Sequence, residues 1–181
     1  MRLFSAFHIP ESLHQAVLRL QAGLPGAHWR PEENFHVTLQ FYGDVEPVAI
    51  HDLGLALQEI IVPQVELVIT GLGHFGGKKP FAVWAGITGA SRQDDQQLYQ
   101  LADDCRQAAK RAGIDAPTRK YMPHLTLAYC KGTTATEVAR YFEEFDGYEA
   151  LRFQTDQFHL FSSHLGKGPA RYQVESSFGA T

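Results

Sequence analysis

The sequence predicts an α+β protein of two similar lobes. Each lobe is a mainly antiparallel sheet with flanking helices, and a pseudo-twofold relates them across a shared cleft. Three observations predict this. Alternating strand patterns and helical stripes interleave along the whole chain. The same order of elements occurs twice. The two clearest strands carry the same His-x-Thr-Leu string, at His36 and at His124.

Residues 2–8 (RLFSAFH) are β-prone and mixed in polarity, which predicts a first strand. Pro10-Glu11-Ser12 has the residue types of a helix start. Leu13, Val17, Leu18 and Leu20 then put an apolar stripe on a helix over 11–23. Gly23 and the pair Pro25-Gly26 end it. Residues 34–42 alternate strictly. Phe35, Val37, Leu39 and Phe41 share one face, and His36, Thr38 and Gln40 share the other. That is the period of a half-buried strand. Pro47 opens a helix to about 61. Strands at 64–75 and 80–88 follow, joined by a Gly-Gly-Lys-Lys-Pro turn. A helix over 91–112 stops at Gly113.

The second half repeats this plan. Residues 123–129 alternate as a strand, 134–145 read as a helix, and strands at 151–162 and 169–177 flank a connector over 164–169. His36 and His124 lie 88 residues apart. The same offset carries the helix at 11–23 onto 99–111 and the strand at 64–75 onto 152–163. A long, twofold repeat is no solenoid. No linker-like composition separates the halves, so residues 1–181 read as a single bilobal domain.

Composition narrows the function. At 44% hydrophobic and 20% charged, the 181 residues are ordinary for a globular protein. Sixteen Lys+Arg against 20 Asp+Glu give a net charge of −4. This argues against an extended nucleic-acid surface but not against a pocket for one phosphate. Two cysteines, 105 and 130, make neither a disulfide framework nor a four-thiolate metal site. The expectation is a monomer of the reducing cytoplasm. No apolar run approaches 18 residues, so no membrane partner is expected. The first residues read as a strand and not as a leader.

Nine histidines remain to be used. On a strand, positions i and i+2 face the same way, so each His-x-Thr presents an imidazole beside a hydroxyl. Two such pairs facing one cleft supply a general acid, a general base and donors for phosphate oxygens. A phosphodiester needs that set and no metal or other cofactor. His159 and His164 lack the context of a metal motif. A single such string would more commonly be a half-exposed strand. Two copies on equivalent strands of a repeat favour chemistry.

With these motifs the chain resembles the 2H phosphoesterases, and within them the bacterial RNA 2',3'-cyclic phosphodiesterases, historically called 2'-5' RNA ligases. The resemblance covers nearly the whole chain, including RLFSAFHIPE, NFHVTLQFYGDV, VWAG (83–86), YMPHLTLAY and LFSSHLGKGPARY. It implies metal-independent hydrolysis of 2',3'-cyclic phosphate ends of RNA or nucleotides to 2'-phosphates, with reversible 2'-5' ligation as a further capacity. His124 would be the general base that activates water, and His36 the general acid that protonates the departing oxygen. Thr38 and Thr126 would bind phosphate, and Phe41 would stack on a terminal base. The chain departs from the family at Tyr129, where many relatives place an arginine. Lys131, Arg119, Lys120 and Arg171 are the cations offered as substitutes, each also readable as a solvated surface charge. Two alternatives stand beside this reading: a noncatalytic RNA-end binding module, and a 2H enzyme for another cyclic phosphate or a 2'-5' linked substrate.

Trp84 and Tyr172, which match in the repeat, read as core. Cys105 and Cys130 do not read as nucleophiles.

Overall fold

The computed structural model describes residues 1–117, 119–166 and 168–179. Its first half runs β1 (Arg2–His8), α1 (Glu11–Leu18), β2 (Ala27–Trp29), β3 (His36–Asp44), α2 (Pro47–Gln58) and β4 (Val65–Phe75). It continues through β5 (Ala82–Gly89), α3 (Arg92–Arg111), β6 (His124–Cys130), α4 (Ala135–Glu144), β7 (Leu151–Thr155), β8 (Gln157–His164) and β9 (Arg171–Gly179). A 3-10 turn over Glu32–Asn34 leads into β3. Lys167, in the predicted 164–169 connector, lies outside the described residues.

The strands form one antiparallel sheet in the order β7-β4-β5-β6-β3-β1-β8-β9, with β2 also paired to β6. The two lobes meet where β3 joins β6 through a single residue pair, Val37 opposite Leu125. These are the middle residues of the two His-x-Thr strings. Antiparallel order therefore sets His36 on the Thr126 side of the seam and Thr38 on the His124 side.

The lobes are not the two halves of the chain. β4, from the first half, pairs with β5 and β7, while β8, from the second, pairs with β1. The single strand expected over 151–162 is two strands broken at Asp156. β7 lies at one end of the sheet and β8 near the other. Asp156 is where the chain crosses between lobes.

The alternation expected in β3 and β6 sends Val37, Leu39, Leu125 and Leu127 into the core. There they join Leu98, Leu101, Ala102, Cys105, Ala108 and Ala109 of α3, a stripe at helical spacing. Each fully buried leucine contributes roughly 1.5–3 kcal/mol. Ser91 caps α3 by accepting from the Asp94 N–H, Asp94 and Asp95 occupy its first turn, and Lys110 and Arg111 its last, all suited to the helix dipole. α4 starts with a capping box of Thr134 and Glu137. β1 lies between β3 and β8, and Leu3 through Phe7 are all buried. Its one polar residue there, Ser5, is satisfied by the Tyr42 hydroxyl at 2.7 Å.

α1 ends at Leu18, earlier than the predicted residue 23. Leu20 and Gln21 donate instead to Val17 and Leu18 in a tighter turn. This frees the Gln21 side chain, whose Nε2 donates to the carbonyls of Arg30 (2.9 Å) and Leu127 (3.1 Å) and ties β2 to β6. Gly26 allows the same approach. It has φ of 74°, and a Cβ there would meet the Lys131 carbonyl oxygen at 2.4 Å.

Candidate active site

The opposite face of β3 and β6 opens into a cavity of about 730 Å³. That is an ordinary size for a small-molecule site. His36, Thr38, His124 and Thr126 all line it, together with Phe41. Each imidazole is held the same way. The His36 Nδ1–H donates to the Asn34 carbonyl at 2.7 Å, and the His124 Nδ1–H donates to the Met122 carbonyl at 2.6 Å. A carbonyl can only accept, so both rings carry their proton on Nδ1 when neutral, and the Nε2 lone pair is free for chemistry. Asn34 is clamped in turn by its side chain, which donates to the Ala170 carbonyl at 2.8 Å.

The two rings differ in their surroundings. Phe4, Tyr172 and Phe161 stand 5.1, 5.2 and 6.5 Å from the His36 ring, centroid to centroid. Desolvation in this cage is the main cause that drives the His36 pKa down to about 4, with the charges of Arg30, His124 and His8 acting in the same sense. The hydrogen bond to Asn34 opposes them. The His124 pKa is also lowered by burial, against the bond to Met122. Phe75 and Trp84 lie 5.0 and 6.0 Å from its ring. Burial therefore favours the neutral form of both imidazoles in the free protein. Among the described residues, no three His, Cys, Asp or Glu side chains are grouped to hold a metal ion.

A family model described as the 2'-5' RNA ligase superfamily matches residues 9–167. The chain belongs to this superfamily. It is 30% identical over 132 residues to an RNA 2',3'-cyclic phosphodiesterase of Geobacillus stearothermophilus, an alignment that covers 69% of this chain but only 40% of that relative's length. An RNA 2',3'-cyclic phosphodiesterase of Escherichia coli is 27% identical over 178 residues, which cover 94% of this chain and 92% of the relative. The crystal structure of Escherichia coli LigT complexed with 3'-AMP shares the fold at a TM-score of 0.78. It is 24% identical, with 99% of this chain and 98% of that one aligned.

Other predicted contacts of this superfamily member divide. Phe41 is in the cavity and not in the core face. Register shifts in the β1–β3 ladder fall on either side of the Phe4–Phe41 and Ser5–Gln40 pairs. They break the alternation after Leu39, so Tyr42 is buried in place of Phe41. Arg119, Lys120, Lys131 and Arg171 are all exposed, and none lines the cavity. The first two precede β6, Lys131 follows it, and Arg171 opens β9. Tyr129 does line it. Trp84 and Tyr172 are half-buried site neighbours of the two histidines and not core residues.

Sequence reasoning missed Arg30. It lines the cavity and is only 6% exposed. Its guanidinium carbon lies 5.2 Å from the Tyr129 ring and 5.8 Å from the Tyr172 ring, and Nη2 donates to the Tyr172 hydroxyl at 3.3 Å. The signal available was an arginine beside Trp29 and before Pro31, too short a segment to show periodicity.

Proposed function

We propose that this cleft hydrolyses 2',3'-cyclic phosphate ends of RNA or nucleotides to 2'-phosphates, with His124 and His36 as base and acid. The observation that carries the reading is the matched anchoring of two imidazoles, each through Nδ1, on one cavity that also holds Thr38 and Thr126. The relatives' activity on cyclic phosphates supports the choice of substrate.

The step balances without a metal. His124 Nε2 takes a proton from water as its oxygen attacks phosphorus. The P–O3' bond breaks in line, and His36 gives its Nε2 proton to O3'. The products are a 2'-phosphate and a 3'-hydroxyl. Thr38 and Thr126 donate to the non-bridging oxygens, and Phe41 stacks on the base. His36 has to carry a second proton to act as acid. Its cage disfavours that in the empty site, and the negative charge of a bound phosphodiester favours it. In 2'-5' ligation a 5'-hydroxyl takes the place of water and the two groups keep these roles; the reverse cleavage of the 2'-5' linkage exchanges them.

The test is a 2',3'-cyclic-phosphate-ended oligonucleotide incubated with EDTA, with the product end identified. A 2'-phosphate is expected. His36→Ala and His124→Ala should each lose on the order of 10²- to 10⁴-fold in turnover while remaining folded. Full activity in either variant refutes the assignment. Binding without any turnover by the unmodified protein would favour an RNA-end binding module.

A further inference from the structure

The exposed cations near the second motif stay outside the cavity, yet one arginine is buried in its wall. We propose that Arg30 is the phosphate-binding cation of this cleft, its guanidinium fork taking an oxygen of a phosphoester held between the two histidines. The proposal rests on the phosphoester reading above.

Arg30 is 6% exposed, and among the described residues no carboxylate lies within ion-pair distance of it. Its one side-chain hydrogen bond goes to a neutral phenol, Tyr172. A guanidinium does not deprotonate in proteins. A buried charge without a counter-ion is expensive, and an anion in the cavity would supply one. Several N–H donors of the fork remain without a protein acceptor, and the residue lines the same cavity as His36 and His124.

The backbone that carries this fork is fixed before any ligand arrives. The Arg30 N–H donates to the Leu127 carbonyl at 2.8 Å, its own carbonyl accepts from Gln21, and Ala27–Trp29 pair with β6. Tyr129 and Tyr172 both bring their rings within cation–π distance of the guanidinium. An arginine so constrained loses little freedom when it binds an oxyanion bidentately. Tyr129 therefore has a use where a cation is absent: it is the platform for a cation that arrives from the neighbouring strand. Arg30 also opposes a second positive charge on His36 until an anion lies between them.

The test uses inorganic phosphate as the probe and the full chain at pH 7. Calorimetry on the unmodified protein and on Arg30→Met should show phosphate binding weakened roughly tenfold to a hundredfold in the variant. On the unmodified protein, the NMR resonance of the Arg30 Nε–Hε group should move as phosphate saturates the site. Unchanged affinity in Arg30→Met overturns the proposal. So does an Nε–Hε resonance that stays still while those of His36 and His124 move, and this measurement alone decides if the variant does not fold. Turnover of the cyclic-phosphate oligonucleotide is followed in parallel. Turnover with unchanged phosphate affinity in the variant overturns the role of Arg30 and spares the phosphodiesterase reading. Lost affinity without turnover by the unmodified protein does the reverse.

Discussion

Acidification from pH 7 to pH 5 should remove stability from this protein through His36, and His36→Gln should abolish that part of the loss. The His36 pKa is about 4 in the folded chain and about 6.5 when the chain is unfolded. Between those values the unfolded state binds more protons, so stability rises with pH across the window. The contribution is fully present above pH 6.5, is lost as pH falls, and levels off below pH 4. At about 1.4 kcal/mol per pKa unit the whole effect is about 3 kcal/mol, of which about 2 kcal/mol falls between pH 7 and pH 5. Urea unfolding of both proteins at several pH values in this range measures it. The burial-lowered histidines His8, His124 and His159 act in the same direction, but both proteins contain them and they cancel in the difference. Gln leaves a hole in the aromatic cage and lowers stability at every pH, so only the change with pH is diagnostic. Parallel curves would refute the argument that desolvation among Phe4, Phe161 and Tyr172 holds His36 neutral.

Two further predictions concern the frame around the site. Tyr42→Phe leaves the Ser5 hydroxyl buried without its partner and should cost about 1–3 kcal/mol; adding Ser5→Ala should recover a large share, and an additive double mutant in chemical unfolding would show the bond to be irrelevant. Gly73→Ala would place a Cβ 2.2 Å from the Trp84 ring, which lies beside His124, and should cost about 1–3 kcal/mol. A melting temperature equal to that of the unmodified chain would show that the indole has room to move.

The chemistry on β3 and β6 was legible because strand alternation is strict there and one face is buried. Val37, Leu39, Leu125 and Leu127 fix the register, and the histidines and threonines follow. The ranges of α3 and α4 were legible as well, the predicted 91–112 and 134–145 each beginning on the residue that caps the helix, Ser91 and Thr134. What failed depended on other strands. Phe41 continues the apolar alternation in sequence, and only the irregular β1–β3 ladder turns it toward the cavity. Residues 151–162 look continuous because both β7 and β8 are β-prone, and nothing local marks Asp156 as the point where partners change. β2 is three residues long, too short for a period, so Arg30 stayed hidden until its pairing with β6 was known.

The crossing at Asp156 also sets an order in time. Both His-x-Thr-Leu strings have been synthesised by residue 127, but two of the three rings around His36, Phe161 and Tyr172, belong to β8 and β9. A growing chain carries both histidines well before either strand exists to enclose the first. β1, made before β8 and buried from Leu3 to Phe7 in the finished sheet, must wait for it with one apolar edge unpaired. Such an edge is a template for wrong partners. The interleaving that encloses the cleft thus exposes the nascent protein to misassembly through β1.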